Sequence, residues 1–184
     1  MEVITTHINA DFDGLASMLA AKKLYPDAVL AFPGGQEKNL RDFFLRSTMY
    51  LFQTEKVKNI PLNKIRRLIL VDIRQPHRIG KFAELCNRDD VEVHIYDHHP
   101  ASPEDITGAV EKIKPVGATS TIMCQILQEK GIDITPDEAT VLMLGIYEDT
   151  GNLTFASTTP EDFQAAAYLL AKGARLNMVS DLIT

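Results

Sequence analysis

The stretch Tyr96-Asp97-His98-His99-Pro100 lies where an apolar run gives way to polar residues. The run before it, Val91-Glu92-Val93-His94-Ile95, alternates in polarity and is typical of a β-strand. A carboxylate and two imidazoles therefore follow the end of a predicted strand, which is where ligand sites form in open α/β sheets. On its own, an adjacent histidine pair fits a polar loop equally well. Other parts of the sequence are needed to distinguish a loop from a ligand site.

Apolar runs and helical patterns alternate through the first hundred residues. The patterns predict strands at 2–7, 28–32, 68–71 and 91–96, with helices between them at 14–24, 36–52 and 77–87. After Pro115 the pattern becomes helical, with predicted helices at 117–131, 136–147 and 161–172. This alternation predicts an α/β fold with a doubly wound, mainly parallel sheet flanked by helices.

Composition limits the classes of protein to which the chain can belong. Its 184 residues, 45% of them hydrophobic and 24% charged, suit one globular domain or one large lobe. No apolar run approaches the roughly 20 residues that span a bilayer, and no basic leader precedes the first strand. Cys86 and Cys124 are isolated and suit reduced thiols, so we expect a cytoplasmic protein. A net charge of -6 argues against general nucleic-acid coating, although bound cations would still allow a nucleotide substrate.

Two acidic segments upstream also follow predicted strands. Asp11 and Asp13 are two residues apart, so in extended chain they project to one side, and His7 precedes them at the end of the first strand. The alternative is that Asp13 only caps the next helix and Asp11 only forms a turn. Asp72 ends the apolar run 68–71, where an unpaired buried carboxylate would cost several kcal/mol. A metal ion would satisfy it, and Arg74 or a helix N-terminus is the alternative partner.

The helical half of the chain adds further polar groups. Thr119 and Ser120 open a predicted helix, where free N–H groups can bind an anion or a capping side chain. Asp149 follows the apolar helix that starts at Pro136. Histidine and carboxylate ligands without thiolates suit Mn²⁺, Mg²⁺, iron or cobalt better than structural zinc. Two ions about 4 Å apart usually share a carboxylate and hold a phosphoryl group between them.

These motifs resemble those of the DHH phosphoesterase superfamily, in order and over residues 7–151. The first is His7-Ile8-Asn9-Ala10-Asp11-Phe12-Asp13, the second is the strand ending in Asp72, the third is Asp97-His98-His99, and the fourth is Asp149-Thr150-Gly151. The resemblance implies one cation held by His7, Asp11 and Asp72. It implies a second held by Asp13, Asp72, His98 and Asp149, with Asp72 bridging. The expected metals are two divalent cations, Mn²⁺ first, with Mg²⁺ or Co²⁺ as alternatives.

The resemblance also implies roles beyond the metals. Asp97 and His99 are the expected catalytic residues, with Asp97 fixing the ring of a ligand histidine and His99 facing the substrate phosphate. We expect His99, Thr119 and Ser120 to bind substrate, while the basic segment 56–67 fits either a solvated face or a phosphate contact. Members of the superfamily hydrolyse single-stranded DNA, oligoribonucleotides, cyclic dinucleotides, 3′-phosphoadenosine 5′-phosphate or pyrophosphate. The expected activity is metal-dependent hydrolysis of a phosphodiester, phosphomonoester or phosphoanhydride, with a nucleotide or short single-stranded nucleic acid as substrate.

Most members of the superfamily carry a second lobe with a Gly-Gly-Gly-His-like segment, and this sequence contains none. We therefore expect a DHH phosphoesterase domain at 1–173, with 174–184 beginning a linker to a C-terminal domain. Such a fragment would bind metal but turn over slowly. The oligomeric state stays open.

A narrower resemblance rests on residues 6–17 and on Phe32-Pro33-Gly34. They look like the start of bacterial proteins in which a DHH module precedes CBS domains and a tRNA nucleotidyltransferase/poly(A) polymerase domain. This allows an alternative in which the chain is a metal- or nucleotide-binding regulatory module of a larger RNA-processing protein. A nucleotidyltransferase site on Asp11-Phe12-Asp13 itself is disfavoured, because no Gly-Ser pair precedes it and it leaves Asp97-His98-His99 unexplained.

Overall fold

The computed structural model describes residues 1–34, 51 and 53–183, and they are built around one parallel sheet. Its strands are β1 Glu2–Thr5, β2 Val29–Phe32, β3 Thr54–Lys56, β4 Arg67–Val71, β5 Glu92–Asp97 and β6 Val110–Ile113. They lie in the order β3-β2-β1-β4-β5-β6, and every pair is parallel. This is a doubly wound arrangement whose strand order reverses between β1 and β4. The predicted fold class is confirmed.

Five α-helices accompany the sheet in the described part of the chain. They are α1 Phe12–Leu24, α2 Thr119–Glu129, α3 Pro136–Thr150, α4 Pro160–Ala171 and α5 Leu176–Ile183. Proline opens α3 and α4, each behind a threonine N-cap with an acidic residue three positions later. The predicted helix at 36–52 falls, apart from residue 51, outside the described residues.

The two faces of the sheet are both buried, but they are covered differently. Along β4, Ile69 and Val71 join the core under the α-helices, whereas Leu68 and Leu70 join a second core on the opposite face. Because both faces are buried, the strand reads as continuously apolar, as parallel strands do. The helical face places α1, α2 and α3 against one another, and these three helices carry part of the polar site described below.

The opposite face is covered by 3₁₀ turns where the sequence predicted an α-helix at 77–87. The turns are Pro76–Arg78 and Gly80–Asn87. Gly80 begins the second turn with a φ of +56°, and a side chain there would collide with the Pro33 carbonyl. In the second turn, Phe82 and Leu85 are both buried, because a three-residue repeat places them on the same side. The prediction of an α-helix was wrong at this point.

The two edge strands were missed by the sequence analysis. All three residues of β3 are exposed, and the central residues of β6 are exposed as well. Edge strands of this kind lack the apolar run that marks the buried strands. Only the strands that are buried on both faces have an apolar run that predicts them from sequence.

The last described helix packs on the body of the fold. Val179 of α5 is buried, and the backbone N–H of Arg175 donates to Thr140 Oγ1 of α3 at 3.0 Å. Residues 176–183, which the sequence analysis placed in a linker, are therefore helical and in contact with α3. Among the described residues, no helix is both long and apolar enough to cross a membrane.

Candidate metal centre

Polar side chains gather at the carboxyl ends of β1, β4 and β5, beside the reversal of strand order. His7 follows β1, Asp72 follows β4, and His98 follows β5. Asp149 arrives from the last turn of α3, a helix that packs on α1. The four predicted segments therefore meet in space at the place where ligands bind in doubly wound sheets.

Asp72 lies at the middle of this cluster with its backbone in the left-handed region, at a φ of +61°. Aspartate tolerates that conformation better than most residues, and the Asp72 N–H donates to the Tyr96 carbonyl at 2.8 Å. Its Oδ2 is 3.3 Å from His7 Nε2, and its Oδ1 is 3.5 Å from His98 Nε2. The two oxygens of one buried carboxylate thus face two different sets of side chains.

The first of these, which we call the His7 set, consists of His7, Asp11 and Asp72. His7 Nε2 lies 3.6 Å from Asp11 Oδ1, and the same Asp11 oxygen accepts the Gly14 N–H at 2.9 Å. Asp11 is therefore the N-cap of α1, the role that the sequence analysis had offered to Asp13. With 38% of its side chain exposed, Asp11 keeps access to solvent.

The second, which we call the His98 set, consists of Asp13, Asp72, His98 and Asp149. His98 Nε2 lies 3.0 Å from Asp149 Oδ2 and 3.7 Å from Asp13 Oδ2. Its Nδ1–H can donate to the Val116 carbonyl at 2.9 Å, which directs Nε2 toward the carboxylates. Nε2 is buried and has no hydrogen bond of good geometry within the described part of the chain. An imidazole nitrogen left this way among carboxylates fits a divalent cation.

Asp13 is fully buried and is held by the N-terminus of α2. It accepts the Thr119 N–H at 2.9 Å, the Ser120 N–H at 2.8 Å and the Ser120 hydroxyl at 2.6 Å. Gly145 of α3 makes this approach possible, because a Cβ there would collide with Ser120 Oγ. An anion does bind at this helix N-terminus, but it is a carboxylate of the protein.

Thr119 and Ser120 therefore differ from their predicted role as substrate-binding residues. Both are completely buried, and the Thr119 hydroxyl donates to Asp72 Oδ1 at 3.0 Å. Their hydrogen-bonding groups are used to orient carboxylates of the cluster. The sequence could reveal an anion site at α2, but it could not reveal which anion fills it.

Asp97 also differs in detail from its predicted role. Its Oδ1 accepts from His99 Nδ1 at 2.6 Å and from the His98 N–H at 3.0 Å. The ring that it fixes is that of His99, while the Val116 carbonyl orients the ring of His98. The His99 side chain is 45% exposed and its Nδ1 lies 3.9 Å from Asp72 Oδ1, so it stands at the edge of the cluster.

Two further residues of the site carried no clear signal in the sequence. Arg74, offered above as a partner for Asp72, instead lies 3.2 Å from Asp97 and 3.3 Å from Asp105, and donates to the His99 carbonyl at 2.8 Å. Glu148 accepts the Phe12 N–H at 2.8 Å, and burial raises its pKa to about 7. An acidic residue before Asp149 was visible in the sequence, but its contact with the start of α1 was not.

The His7 and His98 sets together hold four carboxylates and two imidazoles, and these groups shift one another's pKa values. Burial raises the pKa of Asp13 well above its usual range, and the neighbouring charges of Asp72 and Asp149 add to this. Burial alone would lower the pKa values of the histidines. Close contacts with the carboxylates and their negative charges outweigh it, raising the pKa of His7 to about 10 and that of His98 to about 12. The same contacts lower the pKa of Asp72 despite its burial. Protons on the two histidine rings therefore balance part of the negative charge of this cluster.

Known proteins resemble the chain in sequence and fold. It is 54% identical to the A-adding tRNA nucleotidyltransferase of Geobacter sulfurreducens over 184 residues, which are all of this chain and 21% of that protein. It is 27% identical over 175 residues to a probable manganese-dependent inorganic pyrophosphatase of Lactobacillus delbrueckii, covering 91% of this chain and 53% of that one. The chain thus spans about a fifth and about half of these two curated relatives. The first is a tRNA nucleotidyltransferase, as the narrower resemblance implied.

A solved structure and a family model agree with these relatives. The putative family II inorganic pyrophosphatase of Methanococcus jannaschii superimposes with a TM-score of 0.78 at 23% identity, over 99% of this chain and 60% of that one. That likeness shows a shared fold. The family model described as DHH family, N-terminal domain, matches residues 2–146. Since this match covers most of the sequence and includes the first three motifs, the chain belongs to the DHH family.

Proposed function

We propose that this chain is a metal-dependent phosphoesterase lobe. It would hydrolyse a phosphodiester, phosphomonoester or phosphoanhydride of a nucleotide or oligonucleotide with two divalent cations. The observation that carries the proposal is the position of Asp72, whose two oxygens face two separate ligand sets. A shared carboxylate of this kind is what a two-metal phosphoryl-transfer site requires.

The His7 set and the His98 set would each hold one cation, with Asp72 in both. Bound there, the two cations would neutralise phosphoryl oxygens and make a water nucleophilic at neutral pH. Manganese is the first choice, because the ligands are imidazoles and carboxylates and because the pyrophosphatase relative is named manganese-dependent.

The protein's own groups would orient this site before substrate arrives. The Val116 carbonyl selects the tautomer of His98 that presents Nε2 to a metal, and the α2 N-terminus fixes the Asp13 carboxylate. Asp97 holds His99 Nδ1, so the other ring nitrogen of His99 is free to meet a phosphate oxygen at the edge of the cluster. Arg74 in turn fixes Asp97. Preorganised dipoles and charges of this kind stabilise a transition state without reorganising during the reaction.

A hydrolysis screen tests the proposal. The 184-residue chain would be incubated with Mn²⁺ and pyrophosphate, short RNA or a cyclic dinucleotide, and phosphate or nucleotide release would be measured. We expect turnover of at least one substrate, loss of that turnover on chelation, and loss in Asp72→Asn. The exposed Asp89→Asn serves as the matched control and should retain the activity. Two bound Mn²⁺ ions without hydrolysis of any substrate would contradict the proposed activity.

The identity to a tRNA nucleotidyltransferase favours a second candidate, a regulatory module that binds metal or nucleotide within a larger RNA-processing protein. The same screen separates the two functions. A regulatory module would bind Mn²⁺ and nucleotide tightly and release the nucleotide unchanged.

A further inference from the structure

A cleft of about 240 Å³ opens beside the metal centre, on the side of His99. Arg74, Arg78 and His99 line it, and so do the carboxylates of Asp97 and Asp105. Two guanidinium groups and an imidazole in one cleft next to a cation site describe a place for an anionic group.

The two arginines are not equivalent. Arg74 lies between the carboxylates of Asp97 and Asp105, so its charge is already balanced. Arg78 makes no ion pair with any carboxylate in the described residues, and its side-chain contact is with a ring nitrogen of His7. Arg78 is therefore the guanidinium whose charge remains available to a ligand.

The position of Arg78 decides which part of a ligand it can reach. Its Nη2 lies 3.2 Å from His7 Nδ1, whereas His7 Nε2 points to Asp72. The two ring nitrogens point in opposite directions, so the imidazole stands between the guanidinium and the proposed cation. The Arg78 carbonyl also accepts the Ile8 N–H at 2.8 Å, which ties this segment to the first motif.

We propose that Arg78 binds the anionic group next to the scissile phosphate, so the preferred substrates carry a second phosphate adjacent to the one that is cleaved. This inference rests on the phosphoesterase function proposed above. It favours phosphoanhydrides and oligonucleotides over isolated phosphomonoesters. His99 and Arg78 then contact different parts of one substrate, the imidazole at the reacting phosphate and the guanidinium at its neighbour.

Two non-reacting anions test this assignment in the Mn²⁺-loaded protein. Inorganic phosphate occupies only the position beside the cations, whereas methylenediphosphonate offers a second phosphoryl group. Calorimetry would measure both affinities at the same free Mn²⁺ concentration. We expect Arg78→Gln to weaken methylenediphosphonate by about 10- to 100-fold and phosphate by less than about threefold. Arg78→Lys should recover part of the loss, since it keeps the charge without the planar fork.

Arg88→Gln is the matched control, because Arg88 pairs with Asp90 away from the cleft and should leave both anions unaffected. Equal losses for both anions in Arg78→Gln, or no loss for either, would overturn the assignment. Failure of the parent protein to bind either anion while holding two Mn²⁺ ions would also overturn it. Failure to bind Mn²⁺ at all would instead count against the proposed function, so each Arg78 variant is titrated with the metal alone first.

Discussion

The two ligand sets share Asp72 but are built in different ways. The His98 set depends on contacts distant in sequence, since Asp13 is gripped by Thr119 and Ser120 and the His98 ring by Val116. The His7 set is local. Asp11 caps its own helix through Gly14, and His7 Nδ1 lies 3.0 Å from the carbonyl of the next residue, Ile8. Apart from the shared Asp72 and the contacts with Arg78, the His7 set is held within one loop, whereas the His98 set is held by contacts across the fold.

This difference predicts an order of metal binding. Asp13 is completely buried, whereas over a third of the Asp11 side chain is exposed. A site whose ligands are already oriented loses less conformational freedom when it binds. We therefore expect the His98 set to fill first and the His7 set to exchange its ion more readily.

Among the substitutions considered, we expect a change at Asp72 to have the largest effect on metal affinity, because Asp72 belongs to both sets. Asp72→Asn keeps a residue that tolerates the left-handed backbone but removes the charge from both sets. We expect Mn²⁺ affinity to fall by about 100-fold or more at both sites, whereas His7→Ala should lose only the weaker ion. Calorimetric titration gives the number of ions and their affinities, with Asp89→Asn as control. Two ions bound by Asp72→Asn with parental affinity would show that Asp72 does not bridge.

Acid should weaken metal binding at both sets. The raised pKa values, about 10 for His7 and about 12 for His98, mean that both rings hold protons at neutral pH in the metal-free protein. A cation has to displace them, so affinity rises with pH. Each displaced proton changes the apparent affinity by about tenfold per pH unit, or about 100-fold from pH 6 to pH 8.

Mn²⁺ titrations between pH 6 and pH 8 measure the slope at each set. A flat profile at either set would argue against histidine ligation there.

The smallest expected effects are on the stability of the metal-free protein. They should differ clearly between Asp13 of the His98 set and Asp11 of the His7 set. In Asp13→Asn an amide nitrogen must face either the Thr119 N–H or the Ser120 donors, so we expect about 1–3 kcal/mol less stability. In Asp11→Asn the amide oxygen can still cap α1, so the loss should stay below about 0.5 kcal/mol. Urea unfolding with chelator present measures both. Equal losses would show that the buried set is no more tightly held than the exposed one.

The sequence predicted strands correctly where both faces of a strand are buried, and it predicted site residues where they form a short motif. Strand β4 and the residues after it could be predicted because a continuous apolar run ends in a lone carboxylate. The same logic placed the DHH segment at the end of β5. It could not find β3 or β6, whose side chains are mostly exposed and lack apolar periodicity.

Contacts between residues distant in sequence could not be predicted, for a different reason. Thr119 and Ser120 signalled an anion at a helix start, yet only the packing of α1 against α2 identifies it as Asp13. Arg78 reads as an ordinary surface residue until the turn Pro76–Arg78 brings it beside His7. Local patterns predict which groups exist, whereas their pairing depends on tertiary structure.

The grip of α2 on Asp13 also has a consequence for biosynthesis. The contact joins residues 106 and 107 positions apart. At about 5–20 residues per second, a ribosome needs roughly 5–20 s to make the chain between them. Throughout that interval the Asp13 carboxylate lacks its partners, and Asp149 is made later still. The His98 set is therefore complete only after most of the chain has emerged, and uptake of a divalent cation there during refolding would report when the fold is completed.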